Sequence, residues 1–321
     1  QLSGLRIVEM VKENLRLSNI LTRKAFENAI KVNAAIGGST NFVIHLLAIA
    51  GRIGVPLTLE DFNQLSANIP LITNLQPAGE YFMEDLFYAG GLPAVQKELK
   101  GILHKECITV NGRTVGENFE NAQKYDLDII ATVEAPFNTA TGLAILNGNV
   151  CENGAVIKPS AASAHLMKHT GKAVVFENIE DYKLRIDSSD LEIDENSVLV
   201  LKHVGPKGYP GMPEVGNMGL PKKLLAQGVK DMVRISDGRM SGTGFGTVVL
   251  HASPEAAMGG NFSVIQEGDL ITLDVPNRTL MVDLTQEEMD RRKQKRKAQP
   301  PITDRGYVSL YCNHVQQAHL G

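Results

Sequence analysis

The chain has 321 residues, 43% of them hydrophobic and 21% charged, with a formal net charge of -4. That length is a prior for two domains of ordinary globular composition, and the mild negative balance gives no global attraction to nucleic acid or an anionic membrane. No stretch approaches the roughly 18 uninterrupted apolar residues of a membrane-crossing helix. Three widely spaced cysteines, Cys107, Cys151 and Cys312, with no CxxC pair, exclude a disulfide framework and a self-contained zinc ribbon. The expectation is a soluble cytoplasmic protein.

The chain opens at Gln1, and Leu2, Leu5, Val8, Val11 and Leu15 already keep a helical apolar spacing. The sequence therefore reads as starting inside a helix, as a piece whose front is missing. Thr22 precedes a periodic segment that runs to Ile36, where Gly37 and Gly38 stop it. Ser39 and Thr40 are placed to cap residues 41–52, which are apolar on nearly every side and so are expected to be buried. Thr58 with Asp61 starts a third helix, and Gly90, Gly91 and Pro93 punctuate before a short one ending near Leu99.

The texture then changes. Residues 107–115, with Asn111-Gly112 at their centre, carry a hairpin signal. Strands are expected over 174–177, 198–204, 232–235 and 247–250, and a hairpin over 270–284 that turns at Pro276-Asn277-Arg278. Helices are expected over 161–169, 221–227 and 285–297. The boundary falls near 131–137, giving one domain over 1–130 and a β-rich domain with flanking helices over 131–321. The run Arg291-Arg292-Lys293-Gln294-Lys295-Arg296-Lys297 closes a helix that begins with Thr285 and Glu288. Cations there complement the helix dipole, so a solvated helix end is expected rather than a nucleic-acid patch.

Three segments place small and polar residues where an element ends. Gly37-Gly38-Ser39-Thr40-Asn41 precedes a buried helix, where free N–H groups and hydroxyls either cap the helix or hold an anion. His45, among Phe42, Ile44, Leu46 and Leu47, reads as a hydrogen-bonded core residue. After the strand ending at Val204, residues 205–214 combine Pro, which fixes φ, with Gly, and end on one carboxylate, Glu214. That is one hard oxygen ligand, not a metal site. The glycines at 205, 208 and 211 lack the dinucleotide-binding spacing. Between two expected strands, glycine fills four of the nine positions from 238 to 246, around Ser241. The segment lacks the Gly-x-Ser-x-Gly spacing of a hydrolase elbow. It reads either as a Gly-rich connection or as a loop presenting Ser241 as nucleophile or base.

In this order, Gly37-Gly38-Ser39-Thr40-Asn41 with His45-Leu46, Gly211-Met212-Pro213-Glu214, Ser236-Asp237-Gly238-Arg239-Met240-Ser241-Gly242 and Gly306-Tyr307-Val308-Ser309-Leu310-Tyr311 resemble the dihydroxy-acid and sugar-acid dehydratase family. Met240 and the following Gly-Thr-Val-Val-Leu-His resemble its sugar-acid branch. The resemblance covers the whole chain and corresponds to roughly the C-terminal half of such an enzyme. It implies an α/β fold, with part of a helical α/β N-terminal domain followed by a β-barrel-like swivelling domain with flanking helices.

The resemblance further implies a hydro-lyase of carbohydrate metabolism, eliminating water from a pentonate or related aldonate to give a 2-keto-3-deoxy acid. A branched-chain 2,3-dihydroxy acid as substrate, or a non-catalytic remnant, are the alternatives. It implies Mg²⁺ and a 2Fe-2S cluster as cofactors and a homodimer or homotetramer. Ser241 is the implied base, Glu214 the Mg²⁺ ligand, and Thr243, Ser39, Thr40 and Asn41 the substrate contacts. The family's cluster cysteines lie in a region this sequence lacks, so no cluster ligand is assigned to Cys107, Cys151 or Cys312, and the chain alone is expected to be inactive.

Overall fold

A computed structural model describes residues 1–139, 142–242, 244–296 and 302–321. The chain is mixed α/β and divides into two compact units, residues 1–38 with 46–142, and residues 39–45 with 143–321.

The first unit is helical. It contains α1 (Leu2–Glu13), α2 (Leu17–Ile20), α3 (Arg23–Ala35), the later part of α4 (Asn41–Arg52), α5 (Leu59–Ser66), α6 (Met83–Tyr88), α7 (Gly91–Glu98) and α8 (Val115–Phe119). The capping signals act as read: Thr22 Oγ1 accepts from the Ala25 N–H, and Asp61 accepts from the Thr58 N–H at 2.7 Å. Arg23 reaches Glu27 and Asp61 and so ties the start of α3 to that of α5. The core joins Ala34, Ala35, Ile72, Val95, Leu99, Phe119 and Ile130.

Two expectations fail in this unit. The hairpin over 107–115 is reduced to a single bridge, Ile108 to Thr114, around Gly112 at φ 82°, and Val115 already opens a helix. Thr114 is its N-cap, with Glu117 completing a capping box, and that local signal overrides the hairpin. In α4 only Val43, Leu47 and Ala50 of the apolar positions are buried, and Ile49 is exposed.

The second unit is built on a closed eight-stranded barrel in the order β1-β2-β6-β5-β4-β3-β7-β8. The strands are β1 (Ala144–Gly148), β2 (Cys151–Ile157), β3 (Lys168–Phe176), β4 (Val198–Leu201), β5 (Arg234–Ser236), β6 (Val248–Ser253), β7 (Leu270–Asp274) and β8 (Thr279–Val282). Helices α9 (Ile179–Arg185), α10 (Lys222–Ala226), α11 (Gln286–Lys295) and α12 (Gly306–His314) accompany them. The strands from β3 through β4 and β5 to β6 run parallel, while β2 pairs antiparallel with β1 and β6, and β7 with β3 and β8. Leu146, Ile157, Val200, Ile235, Val249, Phe262 and Leu280 fill the centre. Parallel strands buried on both faces explain the continuous apolar runs.

The helix expected over 161–169 does not form. Two short 3-10 turns occupy residues 159–161 and 164–166, and β3 begins at Lys168, pairing Lys168 with Asp274 and Lys172 with Leu270. Non-local ladder bonds override a short helical pattern there. Strands β1 and β2 were not expected, because Gly148 and Gly154 interrupt their apolar runs. Helix α11 is described to Lys295, and Lys297 lies outside the described residues.

The register that matters most pairs Leu201 at the end of β4 with Ser236 at the end of β5. Both chains leave the sheet at the same edge, the carboxyl ends of parallel strands, where open α/β sheets build their sites. The loop after β4 carries Glu214, and the loop after β5 carries Ser241.

Candidate active site

Within the barrel unit, the first turn of α4 meets both loops. The Asn41 amide donates to Glu214 Oε1 at 2.5 Å and to the Met240 carbonyl at 3.0 Å. Ser39 Oγ accepts from the Asn41 N–H at 3.2 Å, so it caps the helix as its sequence position suggests. A Cβ at Gly242 would lie 3.1 Å from Ser39 Cβ, so glycine lets the two backbones approach. Thr40 is buried, and neither its hydroxyl nor the Asn41 amide oxygen has a partner among the described residues.

Arg239 stitches the same elements. Its Nε donates to the Met212 carbonyl at 2.5 Å, its Nη1 lies 3.3 Å from His45 Nε2, and its own carbonyl accepts from the Gly216 N–H at 2.8 Å. Met212 takes φ 46° and Gly211 φ 89°, the sharp turn that puts Glu214 opposite Asn41. His45 is exposed and faces Arg239, so the expectation of a core histidine is corrected. Its apolar neighbours in sequence lie on other sides of the helix.

Glu214 and Ser241 are both exposed. Thr243 lies outside the described residues. Asn41, Glu214, Arg239 and Ser39 are thus brought together, with Ser241 two residues beyond Arg239 on the same loop.

Behind the loops sits a network that sequence reading missed. Arg234, on β5, is buried, and its Nη2 donates to Asp231 Oδ1 at 2.9 Å and to the Phe245 carbonyl at 3.2 Å. Its Nη1 donates to Asn217 Oδ1 at 3.0 Å and to the Met218 carbonyl at 2.9 Å. One guanidinium therefore holds the Glu214 loop and the Ser241 loop together. Asp231 also accepts from the Thr247 N–H and hydroxyl, the Met232 N–H and the Ser163 N–H. Burial pushes its carboxyl up, but the donors from Thr247, Ser163 and Arg234 outweigh that and leave it below its ordinary value.

Gly246, at φ 117°, is required there: a Cβ would fall 1.7 Å from Arg234 Nη2. Asp237, wholly buried, accepts from the N–H groups of His203, Val204 and Ala256, which joins the ends of both loops to residue 256. Burial and then Glu255 push its carboxyl up to about 7 against those donors.

His251 is the other residue that the sequence did not single out. It is buried at φ 58°, its N–H donates to the Gly238 carbonyl, and neither ring nitrogen has a partner among the described residues. Burial, then Arg239 and His45, push it down to about 3, so it is neutral. The signal was available only as a histidine inside a buried strand run.

The three cysteines are free thiols, Cys107 in the helical unit and Cys151 and Cys312 in the barrel unit. Cys151 is fully buried, and its thiol is pushed up to about 12 by burial. Among the described residues no three His, Cys, Asp or Glu side chains are grouped to hold a metal ion. A thiolate-held cluster therefore does not fit this chain's own residues. A hard cation fits as far as the oxygens of Glu214 and the unpartnered amide oxygen of Asn41 extend.

Among the described residues no helix is long and apolar enough to cross a membrane. Residues 128–321 match the model described as dihydroxy-acid/6-phosphogluconate dehydratase C-terminal, and residues 1–118 its N-terminal counterpart. The chain is 54% identical over 323 residues to an L-arabinonate dehydratase of Rhizobium leguminosarum bv. trifolii, covering 100% of this chain and 56% of that protein. An L-arabonate dehydratase of Azospirillum brasilense is also 54% identical, with the same coverage. A dihydroxy-acid dehydratase of Caldanaerobacter subterraneus is 42% identical over 322 residues, 99% of this chain and 57% of that protein. The chain thus spans a little over half the length of the curated relatives it matches. With both family segments matched in order and the motif loops meeting at one edge of the barrel, the chain belongs to the dihydroxy-acid/6-phosphogluconate dehydratase family.

Proposed function

We propose that a protein carrying this sequence is a sugar-acid dehydratase acting on a pentonate, eliminating water across C2–C3 to give a 2-keto-3-deoxy acid. The observation that carries the reading is the convergence of Asn41, Glu214 and Arg239 beside the Ser241 loop. The greater identity to L-arabinonate dehydratases than to the dihydroxy-acid dehydratase above favours a pentonate.

In this reading Ser241 takes the C2 proton. The C2–H electrons form the C2=C3 bond, the C3 hydroxyl leaves with a proton as water, and the enol tautomerises to the 2-keto acid. A serine works as base only where its alkoxide is stabilised, and the Gly-rich loop offers backbone donors for that purpose. Glu214, held by the Asn41 amide, would be one ligand of a Mg²⁺, with the unpartnered amide oxygen of Asn41 beside it. When bound, Mg²⁺ supplies Lewis-acid stabilisation of the charge that develops on the substrate's carboxylate end. Ser39 and Asn41 contact the substrate, and Thr243 does so on the resemblance alone, whereas the sequence-based expectation that Thr40 does so is corrected because Thr40 is buried.

The resemblance also brings a 2Fe-2S cluster. This chain's thiols do not fit it, so no step here is routed through it, and the 321-residue chain by itself is inactive in this account. A homodimer or homotetramer rests on the resemblance alone, and a cytoplasmic location on the cysteine usage.

The test is an anaerobic assay for 2-keto-3-deoxy acid with a full-length protein carrying this sequence, over pentonates, hexonates and branched-chain dihydroxy acids. Turnover led by a pentonate supports the reading. A preference for a branched-chain acid moves the assignment to the other branch of the family. No turnover of any of them, with metal content verified, removes the enzymatic reading.

A further inference from the structure

The basic run at residues 291–297 is not simply a solvated helix end. Arg292 is largely buried, with Nη1 2.5 Å from Asp269 Oδ2 and Nε 2.8 Å from Glu288 Oε1. Arg296 turns inward, and its Nη2 donates to the carbonyls of Ala256 at 2.8 Å and Ala257 at 3.3 Å. With Lys202, His203, Lys295 and Glu177 these residues line a cleft of about 500 Å³ in the barrel unit. None of them belongs to the Asn41–Glu214–Arg239 cluster.

The charges in this cleft do not cancel. Lys202 is buried and paired with Glu177 at 2.9 Å, Arg292 is neutralised by Asp269, and Arg291, which also lines the cleft, is neutralised by Glu288. Among the described residues Arg296 touches only carbonyl oxygens and no carboxylate, and Lys295 forms no ion pair. Two positive charges therefore face the cleft uncompensated, a setting that attracts an oxyanion.

His203 adds a second, independent requirement. It is 9% exposed and sits at φ 57°, held by its N–H bond to Asp237 Oδ2 at 3.1 Å. Its Nδ1 lies 2.8 Å from the Glu177 carbonyl oxygen, which can only accept, so Nδ1 carries the proton and Nε2 is left with a lone pair. Nε2 is buried and has no partner among the described residues. Burial, with Lys202 and Arg296 behind it, favours the neutral ring over the pull of Glu177. A buried acceptor without a donor is destabilising, so a ligand that brings an O–H here gains what the apo cleft lacks.

We propose that this cleft binds a small oxyanion that also carries a hydroxyl, its negative oxygens on Arg296 and Lys295 and its O–H donated to His203 Nε2. Hydrogen phosphate and a short hydroxycarboxylate share that chemistry. Sulfate has the charge without the proton and lacks the second half of the match.

The test is calorimetric titration of the 321-residue chain at pH 6.5 with inorganic phosphate, glycerate and sulfate, followed in parallel by the ¹⁵N shift of His203 Nε2. Phosphate or glycerate binds roughly tenfold or more tightly than sulfate and moves the Nε2 resonance, since a charge-assisted contact and a matched donor are both at stake. Whichever of the two binds identifies the source. Arg296→Gln weakens binding by a similar factor. Lys295→Gln, at a helix end, serves as a second variant in case the first perturbs folding. Equal binding of sulfate and phosphate, no binding by any of the three, or binding unaffected by both substitutions overturns the proposal.

Discussion

Replacing Asp231 by Asn separates the ion pair from everything else at its position. Asp231 and Arg234 have side chains 1% and 6% exposed, and their contact is 2.9 Å. Asparagine keeps the volume, but it removes the charge and turns an NH₂ group toward N–H donors that Asp231 now satisfies from Thr247, Met232 and Ser163. Among the described residues Arg234 is left as a buried cation held only by Asn217, Met218 and Phe245. Breaking a buried pair in this way costs about 3–5 kcal/mol, whereas removing both partners costs much less, because no uncompensated charge remains.

The expected result in urea unfolding at pH 7 is therefore a loss of about 3–5 kcal/mol for Asp231→Asn, with much of it recovered in the double variant Asp231→Asn/Arg234→Met. The sign with pH follows from the depressed carboxyl: its contribution is full above the unfolded value and is lost as pH falls through the lower folded one. The variant should accordingly differ least from wild type in strong acid. A single substitution that costs under about 1 kcal/mol, or a double variant that costs the full sum, would refute the claim that this pair anchors the two loops.

Other expectations follow from the same packing. Lys158 is 3% exposed, with no ion pair or side-chain hydrogen bond among the described residues, and burial pushes its amine down from 10.5 to about 8. That drop corresponds to about 3 kcal/mol, so Lys158→Met should stabilise the chain at pH 7 by up to that amount. Wild-type stability should also rise between about pH 8 and 10.5 relative to the variant, since the folded state resists the proton until the unfolded chain loses it too; a flat difference with pH would contradict this. In native thiol labelling at pH 8, Cys312 should react first and Cys151 last, because Cys151 is buried with its thiol pushed up to about 12; rapid labelling of Cys151 would count against the barrel core. Asn41→Ala, which frees Glu214, should raise the Mg²⁺ concentration that a full-length protein needs for half-maximal activity by about tenfold or more, and an unchanged requirement would remove Glu214 from the metal's ligands.

Much of the helical unit was legible because its signals are local. Thr22, Thr58 with Asp61, and the paired glycines after α3 act where the chain order puts them. The barrel was legible only in part, since strand pairing is decided by distant partners. The segment 161–169 has helical spacing, but β7 claims Lys168 onward, and β1 and β2 form despite the glycines within them.

The loops bearing Glu214 and Ser241 stood out from glycine, proline and isolated polar residues. What holds them did not. Arg234 lies 17 residues from Asn217 and 11 from Phe245, and nothing near it in sequence marks it as their common donor. His203, His45 and His251 were equally opaque, because a histidine's role depends on which groups face its two nitrogens.

The central claim is that Ser241 removes a proton from a pentonate. Its most direct test compares wild type with Ser241→Ala in a full-length protein carrying this sequence, under anaerobic conditions, with metal content and circular dichroism matched. The account predicts formation of 2-keto-3-deoxy acid from a pentonate by the wild type, and a loss of kcat of about 100-fold or more in the variant, the range for removal of a positioned base. Equal turnover by the two proteins would contradict it.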